Sequence, residues 1–220
     1  MTAFLQLSGP RHPPLAGGDP RQLVILLHGL GADGHDLIDL APYWSRLLPH
    51  AEFLSPHAPF PCDMAPFGYQ WFSLQDRTPE RVLAGVQAAA PILDAYIDEQ
   101  LAVRGLTDAD LALVGFSQGC MMALYVAPRR AKPCAAVVGF SGRLVAADRL
   151  TSETVSRPPI LLTHGTDDDI VPVESMLQAC TSLIEAGFLV EALTRPGLGH
   201  GIDSEGIQAA GSFLVRSMAK

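Results

Sequence analysis

The sequence has no run of Lys or Arg. Its 15 basic side chains are outnumbered by 23 acidic ones, and the formal charge is −8. A chain this acidic, without a basic stripe, offers little to attract phosphate, which argues against nucleic acid and anionic membranes as partners. Long apolar stretches are missing too. The longest early run, Leu23 to Leu27, is far too short to span a bilayer, and the opening "MTAFLQLSGPRHPP" has neither the basic head nor the apolar stretch of a signal peptide. No integral membrane association and a cytoplasmic location are expected. The four cysteines, Cys62, Cys120, Cys134 and Cys180, form no C-x-x-C pair and have no histidine at ligand spacing. Neither a zinc site nor a disulfide framework is suggested, and buried free thiols are expected instead. Internal repeats and low-complexity segments are absent.

What is present is enough apolar material for one sizeable core: 48% of 220 residues are hydrophobic. A single domain over residues 1–220 is expected, with residues 1–21 as an N-terminal strand and loop region. Short apolar runs recur at 23–29, 51–56, 111–117, 134–142, 159–165 and 189–197, each of strand length and several ending in Gly or Pro. Between them lie helical patterns. Leu37, Leu40, Ala41, Trp44 and Leu48 share one helical face, and residues 80–104, 175–186 and 204–218 carry similar stripes. Strand alternating with helix predicts an α/β fold, a mostly parallel sheet with helices on both faces. Pro42 and Pro91 should each mark a first turn or a kink rather than a helix midpoint. A weaker strand is expected around Ala3 to Leu7, and the Pro- and Gly-rich stretch 8–20 reads as loop.

In such a sheet, ligands bind beyond the carboxyl ends of the strands, so the residues that follow each apolar run carry the functional reading. "LVGFSQGC", Leu113 to Cys120, sets Ser117 between Gly115 and Gly119 in a G-x-S-x-G pattern. With 13 serines and 20 glycines, chance alone gives roughly 0.1 such matches, so context must decide. The context fits: an apolar strand precedes the pattern and a plausible helix follows, as a nucleophile on a sharp strand-to-helix turn requires. The near copy "GFSGR" at Gly139 to Arg143 lacks the second glycine at that spacing, so Ser141 reads as a turn serine.

A serine hydroxyl needs a base, and the base needs an orienting group. His200, in the Gly-rich "GLGHGI" after the last apolar run, is the candidate base. His28, His57 and His164 also follow strands, but read better as histidines bonded to backbone in tight turns. The acid lies among Asp167, Asp168 and Asp169 in "HGTDDDIVP", and spacing alone does not choose between them. Three adjacent carboxylates cannot all be buried beside one imidazole, so two of them should be solvated or capping a helix. The order Ser, Asp, His is that of an α/β-hydrolase.

"LLHGLGADGHDL", "SPHAP", "GFSQG", "HGTDDDIVP" and "GLGHGI", in this order, resemble the phospholipase/carboxylesterase family, which includes the acyl-protein thioesterases and small bacterial carboxylesterases. The resemblance runs from about residue 22 to the C-terminus. It implies an α/β-hydrolase fold without a large lid domain and a serine hydrolase with no cofactor and no metal. The substrates it implies are small esters or thioesters of short to medium acyl chains, or acylated proteins. Laid over the family pattern G-x-x-D-x-x-V-P, Gly165 through Pro172 make Asp168 the triad acid beside Ser117 and His200. The oxyanion hole falls to the backbone N–H groups of Leu30 and Gln118. The chain departs from the family where Trp71 and Phe72 are followed by Ser73 rather than Asp. Phe67, Tyr69, Trp71 and Phe72 are candidates for the wall of an acyl pocket, although aromatics at this density serve equally as core or as contacts of a homodimer. Two other readings share the fold: an amidase or peptidase, and a non-catalytic protein that keeps the pocket for a ligand.

Overall fold

The structure is a computed structural model that describes residues 6–219. Its strands are β1 (Arg11–His12), β2 (Gln22–Leu27), β3 (Ala51–Leu54), β4 (Phe60–Pro61), β5 (Tyr69–Gln70), β6 (Leu111–Phe116), β7 (Ala136–Phe140), β8 (Ile160–Gly165) and β9 (Val190–Arg195). β4 and β5 pair as a small antiparallel hairpin, while the other seven form one sheet in the order β1-β3-β2-β6-β7-β8-β9. All neighbours in that sheet are parallel except β1 with β3. The six apolar runs are therefore its six parallel strands.

β1 was not expected, since it lies in the stretch read as loop. The open edge of β3 needs partners for its backbone, and the neighbouring chain supplies them: Ser55 N–H donates to Pro10 O at 3.0 Å and His57 N–H to Ser8 O at 2.8 Å. Pro10 and Pro13 flank β1 and keep it to two residues. The weaker strand expected around Ala3 to Leu7 falls largely outside the described residues, and Gln6 and Leu7 are not in a strand.

The helices are α1 (Gly34–Ile38), α2 (Ala41–Ser45), α3 (Pro79–Arg104), α4 (Gln118–Val126), α5 (Leu150–Glu153), α6 (Glu174–Glu185) and α7 (Ser204–Met218). They cover both faces of the sheet. β2 shows how: Leu23, Ile25 and Leu27 pack with α3, α4 and α6 on one face, while Val24 and Leu26 pack with Trp44 and α7 on the other. All five side chains are fully buried, each contributing about 1.5–3 kcal/mol. A strand buried on both sides needs apolar residues at every position, which is why these runs read as continuous rather than alternating.

The stripe from Leu37 to Leu48 is split into two short helices, with Pro42 in the first turn of α2 as expected. Pro91 corrects the reading, because it sits near the middle of α3, where a first turn or kink was expected. Pro91 and Gln87 both lie on the exposed side of that helix, so the carbonyl four residues back can face water instead of an N–H. On the buried side Val86, Ala89, Leu93 and Ile97 hold the helix to the core across the interruption. All four cysteines are free, but only Cys120 and Cys134 are buried, and burial pushes both thiols up to about 12. Cys62 and Cys180 are half-buried, contrary to expectation.

Arg130, which follows α4, ties that helix to α3. It donates to Asp98 at 2.8 Å, to Asp108 at 2.6 Å, and to Asp94, with its own side chain almost fully buried. Removing the guanidinium would leave three carboxylates facing one another. Because Asp94 and Asp98 are partly solvated, Arg130→Met should cost about 2–3 kcal/mol, below the cost for a fully buried pair. A thermal melt should show a drop of roughly 5–10 °C.

Candidate active site

Leaving β2, the chain runs outward to β3 and then returns to place β6 on the other side of β2. The loops that follow β2 and β6 therefore diverge, and a crevice opens between them at the carboxyl edge of the sheet. Leu30 follows β2, Ser117 follows β6, Asp168 follows β8 and His200 follows β9. Four separated stretches of sequence meet at this edge.

Ser117 stands at φ 53° and ψ −113°, a strained conformation for a residue with a Cβ. Its N–H donates to Phe140 O at 2.9 Å, which fixes the turn against β7. The flanking glycines allow the turn by close approach. A Cβ on Gly119 would lie 1.9 Å from Leu27 O, and one on Gly115 would lie 2.3 Å from Gly119 O. Ser141 is also at positive φ and donates its hydroxyl to Gly201 O at 3.3 Å, tethering the loop that carries His200.

Ser117 Oγ lies 3.0 Å from His200 Nε2, and His200 Nδ1 lies 2.8 Å from Asp168 Oδ2. Nδ1–H donates to the carboxylate, so Nε2 presents its lone pair to the serine hydroxyl. Phe116 packs against the imidazole with ring centroids 4.9 Å apart. The Asp168 side chain is buried, whereas Asp167 and Asp169 are exposed, so only one of the three adjacent acids faces the histidine. Neither exposed acid caps a helix. Asp168 Oδ1 accepts from Ile170 N–H at 3.0 Å and Val171 N–H at 2.8 Å. Burial works to raise the Asp168 pKa, but the bonds from Val171, His200 and Ile170 outweigh it and hold the carboxyl below its usual range.

His164 makes the backbone bond expected of it, to Val171 O at 2.7 Å through Nε2. The same nitrogen lies 3.1 Å from Asp168 Oδ2. This second imidazole on the acid was not anticipated. His28 and His57 likewise sit in backbone bonds, His28 with Gly29 O and Ala58 N–H, and His57 with Gly34 N–H.

Leu30 lies on the wall of the cavity that holds Ser117. The Gln118 N–H is at the first position of α4 and has no helical acceptor behind it. The Gln118 side chain points elsewhere and joins α4 to the hairpin, where its Oε1 accepts from Trp71 N–H at 2.8 Å and its Nε2 donates to Phe72 O at 2.7 Å. The four aromatic candidates do not wall the cavity. Trp71 and Phe72 are buried in the core, and Trp71 Nε1 donates to His28 O at 3.1 Å, bracing the strand end that leads to Leu30. Phe67 is 74% exposed, and Tyr69 stacks on His57. Their density in sequence hides two settings: Phe67 and Tyr69 belong to the exposed hairpin, and Trp71 and Phe72 follow it into the core.

The cavity itself, about 290 Å³, is lined beside Ser117 and His200 by Leu74, Phe116, Met121, Ile170 and Val171, with Asp36, Arg77, Arg143 and Ser175 as its polar wall. Sequence reasoning missed these residues, which come from several loops and share no spacing. Among the described residues one group has ligand atoms close enough for a metal, Asp33, His35 and His57, within 4.8 Å of one another. Its atoms are already engaged in the turn. Asp33 Oδ1 accepts from His35 N–H at 2.7 Å to cap α1, and His57 Nδ1 accepts from Gly34 N–H at 3.1 Å, which puts the ring proton on Nε2. The group reads as a braced turn rather than a metal centre.

A family described as Phospholipase/Carboxylesterase matches residues 16–218. The chain is 30% identical over 200 residues to esterase YpfH of Escherichia coli (strain K12), covering 91% of this chain and 84% of that one. It is 33% identical over 201 residues to acyl-protein thioesterase 1 of Schizosaccharomyces pombe, covering 86% and 88%. Among solved structures, esterase PE8 superposes with a TM-score of 0.92 at 43% identity, covering 96% of this chain and 99% of that one.

Proposed function

The chain belongs to the phospholipase/carboxylesterase family, and we propose that it hydrolyses short and medium acyl esters and thioesters through Ser117, His200 and Asp168. The observation that carries this reading is the relay of 3.0 Å and 2.8 Å from serine through imidazole to carboxylate. Ser117 Oγ attacks the acyl carbon as His200 Nε2 takes its proton, and Asp168 holds the tautomer and stabilises the imidazolium. The N–H groups of Leu30 and Gln118 receive the oxyanion. As the tetrahedral species collapses, His200 returns the proton to the departing oxygen or sulfur, and an acyl-enzyme remains. Water then repeats both steps, releasing the acid and restoring the hydroxyl. Neither step calls for a cofactor.

Chain length follows from the space available. The loops between strands leave a cavity of about 290 Å³, and the longest of them near the site, residues 57–75, is a braced hairpin rather than an apolar cover. A groove of this kind suits soluble substrates, including an acyl group presented on a protein surface.

A fluorophosphonate should label the protein at Ser117, located by peptide mass. A graded panel of 4-nitrophenyl esters and matched thioesters should be turned over best at short and medium lengths, with amide analogues far slower. Rate followed through the micellar transition should show no jump. An unlabelled Ser117 in folded protein would overturn the mechanism. Strong triglyceride turnover with a sharp rise at the transition would instead mark a true lipase.

A further inference from the structure

Five arginines among the described residues are buried or half-buried: Arg104, Arg129, Arg130, Arg143 and Arg195. Four of them face carboxylates, Arg104 on Glu52, Arg129 on Glu153, Arg130 on Asp94, Asp98 and Asp108, and Arg195 on Asp203 and Glu205. In a chain with 23 acids to 15 bases, a half-buried guanidinium readily finds a partner. Arg143 is the exception, with no described carboxylate within ion-pair distance. What it faces is a second cation, Arg77, which also has no described carboxylate partner. Burial, and then the charge of Arg77, push the Arg143 pKa down, so the half-buried guanidinium stands against a like charge instead of a carboxylate.

The pair is placed where this cost has a use. Arg77 and Arg143 line the cavity that contains Ser117 and His200, and they also line a neighbouring cavity of about 270 Å³. Ser175 lies on both walls, and Gln178 and Ser182 add further polar groups to the second one. The single carboxylate among the cavity's lining residues, Asp36, borders a different depression on the α1 side, with Leu37 and Leu40, and pairs with neither arginine. The cleft thus carries two guanidiniums without carboxylate partners on the wall it shares with the second cavity. A guanidinium fork matches the oxygens of a carboxylate or phosphate, and an anion seated between the two would offset their repulsion.

We infer that Arg77 and Arg143 form an anion-binding subsite that selects esters or thioesters carrying a carboxylate or phosphate group away from the bond being cleaved. This rests on the hydrolase reading above for the position of the reacting bond. The site would favour half-esters of dicarboxylic acids, or esters whose alcohol or thiol portion is anionic, over neutral esters of equal length.

Two matched pairs separate these cases. Mono-4-nitrophenyl adipate against 4-nitrophenyl hexanoate places the charge on the acyl side. 3-(4-Acetoxyphenyl)propanoate against 4-propylphenyl acetate places it on the leaving-group side. The protein should favour the charged member of one pair by about 10–100-fold in kcat/KM. That ratio should erode with added NaCl, collapse in the Arg77→Gln/Arg143→Gln double variant, and survive in part in Arg143→Lys. A ratio unaltered by the double variant, or a preference for the neutral member of both pairs, overturns the subsite. Binding is measured separately by calorimetry with glutarate and with inorganic phosphate on Ser117→Ala protein, with and without the arginine changes. The stronger of the two identifies the anion, and heat that persists after both arginines are replaced, or no heat with either anion, overturns the proposal. If no ester is turned over at all, the hydrolase reading fails, while the calorimetry still decides the subsite.

Discussion

Ser117→Ala is expected to lower kcat by about 10⁶-fold while the protein melts within a few degrees of the unchanged chain. The two halves of this result have separate causes. Activity is lost because the hydroxyl is the only group at the carboxyl edge of β6 that both meets His200 Nε2, at 3.0 Å, and projects into the cavity. With it gone, no covalent route remains, and only positioning and oxyanion binding can act on a water molecule. Stability is kept because Ala has the same Cβ, and the backbone bond from residue 117 N–H to Phe140 O does not involve the side chain. The lost hydroxyl bond leaves His200 Nε2 facing an open cavity where water can replace it. A companion variant tests the strain argument. Gly tolerates φ 53° without a Cβ penalty, so Ser117→Gly should melt higher than Ser117→Ala although equally inactive. Steady-state rates and thermal melts on the three proteins check both halves. Near-normal turnover by either variant would remove Ser117 from the mechanism.

How much of this was legible in the chain depends on what kind of signal each residue leaves. Most of the parallel strands announced themselves because strands such as β2 and β6, buried on both faces, must be apolar throughout, whereas β9 at the sheet edge is largely exposed. The positions of Ser117 and His200 followed from a rule about sheets, that function gathers beyond the carboxyl ends of the strands. Gly115 and Gly119 were legible because the turn they flank leaves no space for a Cβ.

Direction left a weaker trace. Phe67, Tyr69, Trp71 and Phe72 are alike in composition, yet one lies in solvent, one stacks on His57 and two are core. Their place along the loop sorts them, Phe67 in the turn of the hairpin, Tyr69 in β5, and Trp71 and Phe72 beyond it where the chain enters the core. Pro91 was misplaced for a related reason, since the cost of a mid-helix proline depends on whether the freed carbonyl meets water, and periodicity does not report that. Beyond Leu30, Ser117 and His200, the cavity wall left little trace. Leu74, Met121, Arg143 and Ile170 come from four different segments and become neighbours only through the sheet order. The three acids at 167–169 are the extreme case, because identical side chains at adjacent positions differ only in which one faces inward.

For that reason the sharpest test falls on them. Asp168→Asn should lower kcat by about 10⁴-fold, while Asp167→Asn and Asp169→Asn should each stay within a few-fold of the unchanged protein. Both Asp168 oxygens act as acceptors: Oδ1 takes Ile170 N–H and Val171 N–H, and Oδ2 takes His200 Nδ1 and lies 3.1 Å from His164 Nε2. An asparagine has one acceptor and one donor, so in either orientation its NH₂ meets N–H groups. The two backbone donors cannot move their protons, but His200 can. The least costly arrangement keeps the amide oxygen on Ile170 and Val171 and shifts the His200 proton to Nε2, where it can no longer accept a proton from Ser117. Catalysis is lost through the tautomer rather than through unfolding. The exposed neighbours have no such role, since Asp167 accepts only from Thr166 Oγ1 at 2.8 Å. Stability gives a second readout with a definite sign. Because the Asp168 pKa is held below its usual range, its ionised form stabilises the native protein at neutral pH, and that contribution is lost as the pH falls through the depressed pKa. The asparagine variant lacks it at every pH, so the gap in melting temperature between the two proteins should be widest near neutrality and close on acidification. Should Asp169→Asn prove the crippling change instead, the acid would have to be reassigned and the relay through Asp168 abandoned.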